Sequence, residues 1–229
     1  MNSYRKTALI VGILFIIGDL AGISSGLIKA PLSADASFPL NIAGNESQWI
    51  LSSILILIMG FPLAMIPVVL YPIFKKQNEI LAQGAILFRG VLEAACYMAM
   101  TVCFLMIATV ARSTVDAAGM QLLVAQFNGA NMWIELILAI VFSIGSFMIS
   151  TLFYQMRLIP RWLSSWGLIG SALYFIAPFI SLLSPSHPAF GFESMIGFLI
   201  GPLAVQEMVF AFWAIIKGFK DPGLQGSYN

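Results

Sequence analysis

The stretch LAQGAILFRGVLEAACYMAMTVCFLMIATV, residues 81–110, is thirty residues long and carries only two charges, Arg89 and Glu93. A helix rises ~1.5 Å per residue, so this run would extend ~45 Å, more than the ~30 Å hydrocarbon core of a bilayer. It reads as a membrane span. Its guanidinium and carboxylate, four residues apart, then require an account of what surrounds them.

Composition points the same way. The chain has 229 residues, 60% hydrophobic and 9% charged, where a soluble domain carries about 25% charged residues. The formal net charge of +1 and the lack of a basic block leave no footprint for nucleic acid. Cys96 and Cys103 would lie roughly 10 Å apart along one helix, too far to bridge, and are expected as free thiols. Arg5 and Lys6 precede an apolar stretch longer than the ~7–15 residues of a signal-peptide core, which is read as an uncleaved first span.

Six apolar windows are long enough to cross a membrane: residues 7–30, 49–74, 81–110, 132–154, 166–183 and 194–219. The polar connections between them are short, so the expectation is an all-α, polytopic helical bundle forming a single transmembrane domain over residues 1–229. A short surface helix is expected over residues 114–127, opened by a capping box in which Asp116 reaches back to Ser113. With six spans, Arg5, Lys6, Lys75, Lys76, Arg157, Arg161, Lys217 and Lys220 fall on one side, against Arg112 and Lys29 on the other. The positive-inside rule then makes both termini cytoplasmic. Trp49, Trp133, Trp162, Trp166 and Trp213 lie toward span ends, where an interfacial belt would hold indoles. Pro62, Pro67 and Pro72 should bend the second span.

Several runs together resemble a known family: Tyr4-Arg5-Lys6-Thr7-Ala8, Asn45-Glu46-Ser47-Gln48, Ile66-Pro67-Val68-Val69-Leu70-Tyr71-Pro72, the pair Arg89 and Glu93, Pro160-Arg161-Trp162-Leu163-Ser164, Gln206-Glu207-Met208 and Lys217-Gly218-Phe219. The chain resembles the bacterial membrane-protein family called domain of unknown function 4386, across nearly its whole length. The resemblance implies a multi-pass protein of the bacterial plasma membrane with about six spans. It implies no activity.

The charges share one layer. Counting ~1.5 Å per residue from the cytoplasmic end of each span, Arg89 lies ~12 Å in, Glu207 ~15 Å, and Asp19 and Glu93 ~18 Å. Four isolated charges near helix centres would cost ~10–14 kcal/mol, comparable with a domain's whole stability. They must face the bundle interior, paired, protonated or hydrated. Arg89, Glu93, Cys96, Tyr97 and Met100 form one helical stripe. Gly18, Gly22 and Gly26 flank Asp19 with a spacing that admits a close neighbour. Gln206 adds an amide beside Glu207, and Glu135 begins a polar stripe that runs through Ser146 and Ser150 toward Tyr154. An Arg-then-Glu pair at i, i+4 contributes only ~0.2–0.5 kcal/mol, so Arg89 is expected to reach Asp19 or Glu207 across a helix interface.

The only histidine, His187, falls in an outer connection, so histidine-based metal, haem or triad chemistry is not expected, and neither a metal nor a cofactor is expected. The favoured reading is that Asp19, Arg89, Glu93, Tyr97, Glu135, Gln206 and Glu207 bind the polar part of a small, largely apolar molecule, lipid- or isoprenoid-like. It would enter from the bilayer or the outer face, and buried acids could transfer protons on it. The alternatives are proton-coupled transport of a small solute, with Glu93 or Glu207 loading the proton, and a structural or partner-binding membrane subunit.

Overall fold

The computed structural model describes residues 3–33, 42, 44–183 and 197–220. It is all-α, with six helices long and apolar enough to cross a membrane: α1 (Ser3–Ser33), α2 (Glu46–Phe74), α3 (Glu79–Ala111), α4 (Ala117–Met156), α5 (Arg161–Leu183) and α6 (Gly197–Ile216). This is a multi-pass membrane protein. Its outer surface agrees, because large apolar side chains such as Ile13, Leu20, Phe61, Val102, Ile169 and Phe212 are exposed on the helices. Such a surface would aggregate in water and suits lipid.

Each helix packs on its sequence neighbour, and α6 returns to α1, which closes a ring in chain order. Small residues set how tightly the ring closes. A Cβ on Gly18 would lie 2.8 Å from the Leu63 side chain, so α1 and α2 touch where the glycine spacing predicts a neighbour. Gly26, the last of that stripe, has nothing within 4 Å. Ser25 adds a bond from its hydroxyl to Ser52 O at 2.7 Å.

The basic residues collect at one end of the ring. There Arg5 Nη1 donates to Ala214 O at 3.4 Å, Lys76 Nζ lies 5.9 Å from the Tyr4 ring, and Lys220 N donates to Leu158 O at 2.9 Å. Just inside this end the lumen is filled by rings. Phe153 meets Phe74, Phe219 and Phe210 at centroid distances of 5.0, 5.3 and 5.1 Å, and Phe210 meets Phe15 at 5.5 Å. All five are buried.

Three expectations change. The surface helix over residues 114–127 is not a separate element, since α4 runs unbroken for 40 residues from Ala117. Nothing in its sequence stops it, because Gly129 is tolerated inside a helix and no proline intervenes. Asp116 does not reach back to Ser113; it is the N-cap of α4 and accepts from Gly119 N at 3.1 Å. Trp49 is not a belt residue. It is buried, donating from Nε1 to Phe104 O at 2.8 Å, which satisfies an indole N–H that lipid could not. The second span runs as one helix through Pro62, Pro67 and Pro72. Cys96 and Cys103 are free thiols as expected. His187 lies outside the described residues.

Candidate functional site

Arg89 sits in a distorted turn. Between Ile86 and Leu92, α3 widens into a π-helix, and the Glu93 N–H reaches Phe88 O five residues back. Such widened turns often occur at functional sites. Here the turn is packed closely between two neighbouring helices. A Cβ on Gly145 of α4 would stand 2.7 Å from Arg89 N and 2.8 Å from Arg89 Cβ. The opposite side of the turn meets Ala64 O of α2, 3.4 Å from where a Gly90 Cβ would be. Only a glycine at 145 lets α4 press on the backbone beneath the arginine.

The guanidinium that emerges is buried, 1% exposed, and holds two acids. Nη2 donates to Glu207 Oε1 at 2.7 Å, and Nη1 lies 3.3 Å from Glu93 Oε2. Phe142 covers the flat face with its centroid 4.1 Å from Cζ, and Phe15 stands at 5.8 Å. The expected reach across a helix interface is therefore met by Glu207. Asp19 is within electrostatic range of Arg89 and Glu207, with no ion pair to Arg89 among the described residues. Its Oδ2 is buried and has no hydrogen-bond partner among them. A forked donor satisfies two carboxylates because its geometry is fixed, whereas a third acid receives only its field.

Above this cluster, away from the basic end, lies a cavity of about 240 Å³. All six helices contribute to it: Asp19, Gly22 and Ile23 from α1, Met59 and Leu63 from α2, Tyr97 from α3, Leu138 and Phe142 from α4, Tyr174 from α5, and Ala204, Glu207 and Met208 from α6. The ring topology explains this, since a closed ring of six leaves a lumen that each helix borders. Asp19 and Glu207 form its acidic floor, and the rest of the wall is apolar or aromatic. The cavity exceeds the ~150 Å³ apolar void that can take up benzene.

The other predicted residues lie around it. Tyr97 lines the cavity and is packed against Gly60, where a Cβ would be 3.1 Å away. Glu93 is fully buried behind the floor with Arg89. Glu135 stands about one turn beyond Leu138, accepts from Asn131 Nδ2 at 2.7 Å, and interacts electrostatically with Lys29. Lys29 Nζ lies 3.0 Å from the Phe104 ring centroid. Glu135 thus belongs to an outer polar layer rather than to the cavity wall. Gln206 points from α6 to α5, donating to Leu163 O at 3.2 Å. The serines after Glu135 also face α5: Ser171 Oγ donates to Ser146 Oγ at 3.1 Å, and a Cβ on Gly167 would lie 2.6 Å from Ser150 Oγ. That stripe joins two helices and does not form a track to the centre, because hydroxyls on small side chains are the cheapest way to let two backbones approach.

Sequence reasoning missed Phe142, Phe15, Tyr174 and Gly145. Isolated aromatics and glycines carry no signal in an apolar chain until the helix that faces them is known. The phase of Phe142 gave a weak clue, since it shares the inward face of α4 with Leu138 and Gly145.

No curated protein and no solved structure matches the chain. A family model does match, over residues 10–218, and the matched segment takes in Asp19, Arg89, Glu93, Tyr97, Glu135, Gln206 and Glu207. The chain belongs to the family described as domain of unknown function (DUF4386).

Proposed function

We propose that this is a ligand-binding protein of the bacterial plasma membrane, whose central cavity holds the polar part of a small, largely apolar molecule. One observation carries the reading: a cavity bordered by all six helices that joins the carboxylates of Asp19 and Glu207 to apolar and aromatic walls. Binding pockets have this makeup, with few polar groups set in apolar surface. Arg89 holds Glu207 in place from behind and is itself held by Glu93, Tyr97 and Tyr174 contribute aromatic rings to the wall, and Lys29 and Glu135 lie on the outer side. A buried cation with surplus acids is costly to keep as mere helix glue.

Access from the bilayer is supported at the seam of α1 and α6. Ile23 lines the cavity and is 54% exposed on the outer surface. The two helices are tight lower down, where a Cβ on Gly12 would lie 2.8 Å from Ala211 O, whereas Gly26 and Gly201 have open space. The five buried phenylalanines close the other direction, which favours binding over a through-path for a transported solute. By the positive-inside rule the plugged, basic end faces the cytoplasm and the cavity lies toward the outer leaflet.

Native mass spectrometry of the protein released from mild detergent tests this. Wild type should retain a co-purified small molecule, and Ala204→Phe, which fills the cavity, should lose it while melting near the wild-type temperature. A bare wild type, or an adduct kept equally by both proteins, would contradict the reading.

A further inference from the structure

We infer that the molecule in the cavity carries a cationic head, a protonated or quaternary amine attached to an apolar body. The assignment rests on the cavity being a ligand site and adds the charge of the ligand. Three carboxylates, Asp19, Glu93 and Glu207, surround one guanidinium, and both arms of that guanidinium are committed to Glu207 at 2.7 Å and to Glu93 at 3.3 Å. Asp19 is left over. It lines the cavity, its Oδ2 is buried, and no donor among the described residues meets that oxygen. Lys29, the next cation on the same helix, sits with Glu135 and Phe104 in the outer layer. A ligand that supplied N–H donors or a fixed positive charge would complete the set, since charge-assisted bonds to a carboxylate are the strong ones.

The walls point to an organic cation. Tyr97, Phe142 and Tyr174 border the cavity with rings whose faces attract cations. Phe142 already does so for Arg89, at 4.1 Å. Met59, Leu63, Leu138 and Met208 provide apolar surface that a hydrated metal ion would not use, and among the described residues no group of three metal-ligating side chains converges. An anionic head would meet Asp19 and Glu207, and among the described residues no lysine or arginine lines the cavity.

The test uses three probes of one shape, 4-phenylbutylamine, 4-phenylbutanol and 4-phenylbutyrate, titrated calorimetrically into the protein in phosphatidylcholine nanodiscs. The amine should bind at least about tenfold more tightly than the alcohol, the worth of one charge-assisted hydrogen bond, and the acid should be the weakest. Asp19→Asn, nearly isosteric, should reduce the amine affinity about tenfold or more and bring it near that of the alcohol. Ala204→Phe should abolish binding of all three. If the alcohol or the acid binds as well as the amine, the cationic head is wrong while the cavity remains a ligand site. If no probe binds, the cationic-head assignment falls, and the co-purified molecule judges the cavity separately. If Asp19→Asn loses its cooperative melt, Asp19→Ala is read instead and should show the same loss; an amine preference kept by a folded Asp19→Ala protein would likewise overturn the assignment.

Discussion

Replacing Arg89 with methionine removes the cation that Glu93 and Glu207 share and keeps an apolar chain of similar length. In the wild type its guanidinium is 1% exposed, held by Glu207 at 2.7 Å and Glu93 at 3.3 Å and covered by Phe142 at 4.1 Å. Breaking a buried pair from one side leaves the partner charged and unsolvated, at a cost of ~3–5 kcal/mol. For a chain of this size each kcal/mol moves a melting temperature ~2–4 °C, so Arg89→Met should melt ~6–20 °C lower in a mild detergent. The cost comes from stranded acids rather than from lost packing, so it should be recoverable. Adding Glu93→Gln and Glu207→Gln to Arg89→Met neutralises both acids that contact the guanidinium and leaves only Asp19 of the set, and replacing a buried ion pair by neutral groups is often neutral or stabilising. The triple variant should therefore regain most of the loss, whereas Arg89→Lys, a point charge that cannot fork to two acids, should fall between. A single variant that melts within ~2 °C of wild type, or a triple variant that melts lower than the single one, would refute the reasoning.

Further outcomes follow from the packing. Gly145→Ala puts a Cβ 2.7 Å from Arg89 N and should cost ~1–3 kcal/mol in a melt, while Gly129→Ala in the same helix, with nothing within 4 Å, should leave the temperature unchanged or slightly raised. Phe153→Ala removes the ring that contacts Phe74, Phe210 and Phe219 and should lower stability by ~3–5 kcal/mol by the same assay. Asp116→Ala should cost ~1 kcal/mol, because the Gly119 N–H loses its acceptor at the start of α4. Single cysteines introduced on a background lacking Cys96 and Cys103 should label from outside intact cells at positions 45 and 116 and only after permeabilisation at 76 and 157; external labelling at 157 would break the six-span topology with the basic end inside.

The number of helices and the inward stripe of α3 were legible because each is a local property. Apolar length sets a span, and a charge that cannot face lipid must face the bundle, so Arg89, Glu93 and Tyr97 were placed on the buried side from sequence alone. The depth of each charge along its helix also narrowed the partner of Arg89 across the interface to Asp19 or Glu207, and the packing decides for Glu207. What was not legible depends on which faces meet. Gln206 and Ser150 have the chemistry of a site but face α5, and only the rotation of α6 and α4 about their axes decides that. The aromatic plug could not be read either, because Phe74, Phe153, Phe210 and Phe219 lie on three helices and the segment that follows α6, in a chain where phenylalanine is common. The π-turn at Arg89 packs against Gly145, 56 positions away in the chain, a contact that no local pattern announces. The unbroken α4 escaped because a polar, capped start looks the same whether the helix stops after three turns or continues.

The most direct measurement of the central claim is an experimental density map of the wild-type protein purified from its membrane without added ligand. Density is expected inside the ring between Tyr97, Phe142, Tyr174 and Ala204, with an atom at hydrogen-bond distance from Asp19 or Glu207, and Arg89 held by Glu207 and Glu93 beneath it. A lumen closed by inward repacking of Phe142 and Tyr174, or one holding only water above Glu207, would contradict it.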